Sequence, residues 1–70
     1  MSLHNRLKET RVARNLTQEA LAQAVGVTRQ SIIAIEKGKY VPSVRLALQL
    51  AQALEAPLEE MFWLAGDDGG

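Results

Sequence analysis

The chain contains no cysteine and a single histidine, His4. Disulfides, thiolate zinc sites and a sulfur nucleophile are therefore excluded, and so is a histidine-rich metal centre. Aromatic residues are as scarce: Tyr40, Phe62 and Trp63 are the full complement. No apolar run approaches the roughly 18 residues of a membrane-spanning helix. The N-terminus lacks the charged-then-apolar pattern of a secretory signal, which sets the expectation of a cytoplasmic protein without a membrane partner. Ser2, Ser31, Ser43, Tyr40 and His4 assemble no plausible triad, and no paired carboxylates fall in an expected cleft, so an enzyme is not expected. A core this small also leaves no obvious room for a small-molecule effector, and no cofactor is implied.

Seventy residues bound the chain to one domain, expected over residues 1–65. A chain of this size buries only about 60% of its unfolded surface. With disulfide and metal excluded, extra stability has to come from packing or self-association.

Net charge is zero, but the charges are segregated. All eight Lys and Arg (Arg6, Lys8, Arg11, Arg14, Arg29, Lys37, Lys39 and Arg45) lie in residues 1–45. Glu9, Glu19 and Glu36 oppose them there, a balance of +5. Residues 46–70 carry Glu55, Glu59, Glu60, Asp67 and Asp68 and no base, a balance of −5. Such asymmetry suggests one surface for a polyanion and another turned away from it.

The hydrophobic period is helical throughout, and an all-α fold of five helices is expected. Leu3, Leu7, Thr10, Arg11 and Arg14 share a face, giving a first helix from about Leu3 to Arg14 with Arg11 turned inward. Thr17 caps a second helix whose inner side is Leu21, Ala22 and Val25, with Glu19 in its first turn. Gly26 ends it, and Val27 wedges beneath the turn. Thr28 caps a third helix that buries Ile32 and Ile35 and stops at Gly38. Pro42-Ser43 opens a fourth with the inner stripe Val44, Ala47, Leu50, Ala51 and Leu54. After the break at Ala56-Pro57, a fifth runs from Leu58 to about Leu64 on Leu58, Met61 and Phe62. No segment alternates strictly, so no sheet is expected. Residues 66–70, Gly-Asp-Asp-Gly-Gly, are expected to form a flexible tail.

Two short helices joined by a tight turn over residues 17–38 have the layout of a helix-turn-helix, whose second helix enters the DNA major groove. With Ile32 and Ile35 inward, Arg29, Gln30, Ile33, Ala34 and Lys37 lie on the far side. Arg29 and Gln30 occupy the first turn, from which such helices reach base edges; Arg suits guanine and Gln suits adenine. Ile33 and Ala34 offer methyl contacts to thymine, and Ile33 has the alternative of folding back on a neighbouring loop. Gln18, at the start of the second helix, is placed to brace a phosphate. Lys37, Lys39, Tyr40 and Arg45 cluster around the loop after the third helix as further phosphate contacts, Tyr40 with the alternative of packing on the fourth helix.

The run Leu16-Thr17-Gln18-Glu19, Leu21-Ala22, Val25-Gly26-Val27-Thr28-Arg29-Gln30-Ser31-Ile32, Ile35-Glu36-Lys37-Gly38-Lys39-Tyr40 and Pro42-Ser43 resembles the XRE (Cro/CI-like) helix-turn-helix family. The downstream Leu46-Ala47-Leu48, Leu50-Ala51, Leu54 and Pro57-Leu58-Glu59-Glu60-Met61-Phe62 resembles its small stand-alone members. The resemblance covers residues 3–64. It implies a compact lambda-repressor-like regulator of transcription, most simply a repressor. Arg29 and Gln30 would read bases, with Gln18, Thr28, Ser31, Lys37 and Lys39 on the DNA backbone. It also implies a buried ion pair between Arg11 and Glu36, which would account for the inward arginine. Ala34 departs from relatives that carry a longer polar reader there, so direct readout would rest on Arg29 and Gln30. The family solution is a homodimer on a pseudo-palindromic operator, with half-sites about 34 Å apart. Leu48, Trp63 and Leu64 are the expected dimer interface, Trp63 with the alternative of covering the monomer core. An antitoxin or adaptor with a protein partner on that apolar surface is the competing expectation.

Overall fold

The computed structural model describes residues 2–66. Along the chain run β1 (Ser2–Asn5), α1 (Leu7–Ala13), α2 (Gln18–Val25), α3 (Arg29–Glu36), α4 (Val44–Leu54), α5 (Leu58–Met61) and β2 (Phe62–Ala65). Of the expected tail only Gly66 is described; Asp67, Asp68, Gly69 and Gly70 lie outside the described residues.

Local chemistry places three of the helix starts. Thr17 Oγ1 accepts the Ala20 N–H at 3.0 Å, Thr28 Oγ1 accepts the Ser31 N–H at 3.3 Å, and Ser43 Oγ accepts the Leu46 N–H at 3.0 Å. Each satisfies a donor that a helix N-terminus leaves without a partner. Gly26, at φ +76°, closes α2 in the left-handed conformation, and the next amide, Val27 N–H, returns to the Ala22 carbonyl at 3.0 Å. That geometry makes the turn to α3 tight.

The core is Leu7, Leu21, Ala22, Val25, Ile32, Ile35, Leu46, Ala47, Leu50, Leu54 and Met61, drawn from all five helices. Leu16, Val27 and Phe62 are half-buried against it. One member of the expected α4 stripe is misplaced. Val44 is 75% exposed, and Leu46 takes the inner position instead. The rest of the expected stripe holds: Ala47, Leu50 and Leu54 are buried and Ala51 packs against the core.

The fold is not purely α-helical. Ser2–Asn5 and Phe62–Ala65 pair antiparallel, with Ser2 opposite Ala65, Leu3 opposite Leu64, His4 opposite Trp63 and Asn5 opposite Phe62. The expected first helix therefore begins at Leu7, not Leu3, and the fifth ends at Met61, not Leu64. Asn5 sets the first boundary. Its Oδ1 accepts the Leu7 N–H at 3.1 Å, capping α1 from one residue further out than usual. At the other end Phe62 turns extended (φ −132°, ψ 135°), and the Arg6 N–H bonds the Met61 carbonyl at 2.8 Å. Main-chain pairing with a distant strand replaces another turn of helix on both sides.

Candidate nucleic-acid interface

Thr28 and the tight turn present the start of α3 outward while Ile32 and Ile35, both fully buried, hold its other side in the core. Arg29 and Gln30 occupy the first turn and are exposed. Ile33 and Ala34 follow on the same helix and are half-buried. Ser31 is half-buried, its Oγ 3.3 Å from Thr28 Oγ1, so two hydroxyls converge at the helix N-terminus. Beyond α3, Gly38 (φ +75°) and the Lys39 N–H bond to the Ala34 carbonyl at 2.9 Å turn the chain. Lys37, Lys39, Tyr40 and, at the start of α4, Arg45 are all exposed.

Behind this surface lies a polar network. Arg11 Nε donates to Glu36 Oε2 at 2.7 Å, and its Nη1 donates to the Leu16 carbonyl at 2.8 Å. The two side chains are 10% and 5% exposed. One linkage thus ties α1 to the end of α3 and to the loop before α2. The only acid of α3 is thus paired inside the protein.

Gln18 joins that network. Its Nε2 donates to Glu36 Oε1 at 3.1 Å, and the residue is half-buried. An amide nitrogen carries two N–H donors. One is taken by Glu36; the second N–H and the carbonyl oxygen remain for an outside partner. The sequence placed Gln18 at the right helix start but gave no sign that Glu36 holds it.

Two features escaped sequence reasoning. Asn5 Nδ2 donates to the Ile35 carbonyl at 2.9 Å, so the residue that caps α1 also grips the last turn of α3. The usable signal was an Asn just ahead of an apolar helical start. The second concerns Leu48, Trp63 and Leu64, which do not share one surface. Residues directly opposite on paired strands point to the same face, and successive residues alternate. Leu3, Leu64 and Phe62 therefore share one face of the ribbon, and His4 and Trp63 share the other. On that other face the His4 and Trp63 rings stack at 6.1 Å, with the Arg6 guanidinium 5.3 Å from the Trp63 ring centroid.

Residues 7–61 match the model of the helix-turn-helix family HTH_3. The chain belongs to the XRE-type helix-turn-helix family. Among curated XRE-type proteins it is 48% identical over 62 residues to YgzD of Bacillus subtilis, named an uncharacterized HTH-type transcriptional regulator, covering 89% of this chain and 94% of that one. It is 32% identical over 57 residues to the CTXphi transcriptional repressor RstR of Vibrio cholerae, covering 81% of this chain and 51% of RstR. Among solved structures, the restriction-modification controller protein C.AhdI of Aeromonas hydrophila superposes with a TM-score of 0.74 at 38% identity, over 79% of this chain and 83% of that one. The XRE-type domain of this chain is thus a helical DNA-binding fold that carries a small terminal sheet, in a family of transcriptional regulators. Among the described residues no helix is long and apolar enough to cross a membrane.

Proposed function

We propose that the protein is a sequence-specific double-stranded DNA-binding repressor that inserts α3 into the major groove as a homodimer on a pseudo-palindromic operator. The observation that carries this reading is the two-sidedness of α3. Its first turn exposes Arg29 and Gln30, its far side is locked by Ile32 and Ile35, and its acid is consumed by Arg11. Arg29 and Gln30 supply bidentate donors and acceptors for base edges, and Ile33 and Ala34 supply apolar contact. Thr28 and Ser31 bring hydroxyls to the α3 N-terminus, and Gln18, held at Glu36, keeps a second N–H for the DNA backbone. Lys37, Lys39, Tyr40 and Arg45 take backbone phosphates. The kinship with RstR, itself named a repressor, supports the direction of regulation.

The test is selection of bound sequences from random duplex DNA by the purified chain. A two-fold symmetric motif is expected. Absence of any enriched motif, together with binding that does not weaken as salt rises, would overturn the reading. The apolar residues left exposed at Leu48 and Leu64 favour a second reading, an antitoxin or adaptor held by a protein partner. The two are not exclusive, since an antitoxin can bind DNA as well; a stable co-purifying protein partner would favour the second.

A further inference from the structure

Two consecutive residues at the end of α3 are gripped from elsewhere in the chain. Glu36 is held through its side chain by Arg11 and Gln18. Ile35 is held through its main chain: its carbonyl accepts the Asn5 Nδ2–H at 2.9 Å. The same carbonyl accepts the Gly38 N–H at 3.0 Å, so it has a partner without Asn5. Satisfying a buried acceptor is therefore not what the Asn5 bond is needed for.

Asn5 is itself fixed. It stands opposite Phe62 in the ribbon, and the adjoining Arg6 N–H bonds the Met61 carbonyl at 2.8 Å. Its own Oδ1 accepts the Leu7 N–H at 3.1 Å. One planar amide thus meets an N–H with its oxygen and a C=O with its nitrogen. Among side chains of this shape only Asn can do so, because Asp lacks the donor and Leu lacks both groups.

We propose that Asn5 is a positioning residue for DNA binding, through which the terminal ribbon sets the pose of α3 in the major groove. The inference rests on the DNA-binding reading above and adds to it a residue that acts through α3. Ile32 and Ile35 decide which side of α3 faces the core, but apolar contact is non-directional and allows small tilts. A hydrogen bond to the main chain weakens as its angle departs from linear, so it resists them. Arg29 precedes Ile35 by six residues, roughly 9 Å along the helix axis. A tilt of about 6° at the Ile35 end moves the Arg29–Gln30 turn by about 1 Å, roughly twice the ~0.5 Å that a preorganised polar site tolerates.

The experiment is fluorescence anisotropy on wild type, Asn5→Asp and Asn5→Ser, each with the selected duplex and with a scrambled duplex of equal length at one salt concentration. Urea unfolding of each variant fixes conditions under which it is folded. Asp keeps an oxygen for the Leu7 N–H but sets another against the Ile35 carbonyl. Ser keeps a hydroxyl for that N–H, is too short to reach Ile35 and adds no charge. Both variants are expected to bind the selected duplex about tenfold more weakly, a loss comparable to one bidentate base contact. Binding to the scrambled duplex should change by less than about threefold, because non-specific attraction to phosphates is tolerant of pose. A purely structural role would lower the urea midpoint and leave the ratio of the two affinities at its wild-type value. That unchanged ratio in Asn5→Ser, an equal loss on both duplexes, or an Asn5→Ser chain that does not fold overturns the proposal and leaves the DNA-binding reading standing. A wild type that does not distinguish the two duplexes overturns the sequence-specific reading itself.

Discussion

Removing either partner of the Arg11–Glu36 pair should cost this protein much of its stability, and removing both together should cost far less. The Nε–Oε2 distance is 2.7 Å, and the side chains are 10% and 5% exposed, so solvent screens the pair little. Loss of one partner from a buried pair costs about 3–5 kcal/mol, chiefly because the other charge stays desolvated. A domain of this length has a total stability of roughly 3.5–10 kcal/mol at 0.05–0.15 kcal/mol per residue. A single substitution thus removes from about a third to all of it.

The two singles should differ. In Arg11→Met the Glu36 carboxylate keeps only the Gln18 N–H at 3.1 Å. In Glu36→Leu the Arg11 guanidinium keeps the Leu16 carbonyl at 2.8 Å and has a long stem with which to reach water. Arg11→Met is therefore the more damaging. In the double variant no charge is stranded, and apolar residues of similar size restore most of the loss. The assay is urea unfolding followed by far-UV circular dichroism at one fixed protein concentration, with the slope m compared across variants. Two single variants that each lose less than about 1 kcal/mol, the range of exposed ion pairs, would refute the reasoning.

Other substitutions separate the roles of neighbouring residues. Arg29→Ala is expected to lower discrimination at one base pair by ~1–3 kcal/mol, whereas Lys37→Ala weakens all duplexes alike; competition binding against single-mismatch operators distinguishes them, and uniform loss in both variants would remove Arg29 from base readout. Thr28→Ala deletes the acceptor of the Ser31 N–H and should cost about 1 kcal/mol, read by thermal unfolding. Asn5→Ala removes both the α1 cap and the donor to the Ile35 carbonyl, for about 1–3 kcal/mol. Hydrogen exchange should locate that change in the last turn of α3 as well as in α1; a change confined to α1 would show that the Ile35 bond carries no stability.

What the sequence revealed was what is decided locally. Thr17, Thr28 and Ser43 cap helices because an oxygen on a short side chain meets an amide three residues on. Gly26 ends α2 because its backbone turns left-handed there. The helix-turn-helix was therefore readable almost residue by residue. The ribbon was not, because it joins the two ends of the described chain and each strand is only four residues long. Leu3 and Leu7 fit a helical period as well as they fit a strand followed by a capped start. Only the partner strand decides between them. Val44 failed for a related reason. Both Val44 and Leu46 are apolar, and neighbours absent from the local sequence choose which side of α4 faces in. At the site, side-chain pairing across elements hid the attachment of Gln18 to Glu36 and of Asn5 to Ile35.

Zero net charge is a poor endowment for a DNA-binding fold, and the arrangement of the charges resolves this. Glu36 is spent on Arg11. Glu19 faces Gln23 on the outer side of α2, its carboxylate accepting that amide at 3.2 Å. Glu55 takes Arg14 at 3.6 Å where α4 ends. Around α3 this leaves Arg29, Lys37, Lys39 and Arg45, none of them in an ion pair among the described residues. If Lys37, Lys39 and Arg45 each neutralise one phosphate in each of two subunits, six counterions are displaced. The logarithm of the affinity should then fall with the logarithm of salt concentration with a slope of about −5. Lys39→Ala, which removes one cation per subunit, should lower that slope by nearly 2 while leaving the selected motif unchanged. Fluorescence anisotropy on one operator from low to physiological salt measures both slopes. A wild-type slope near zero, or a Lys39→Ala slope equal to it, would show that the cations around α3 are not where the DNA backbone lies.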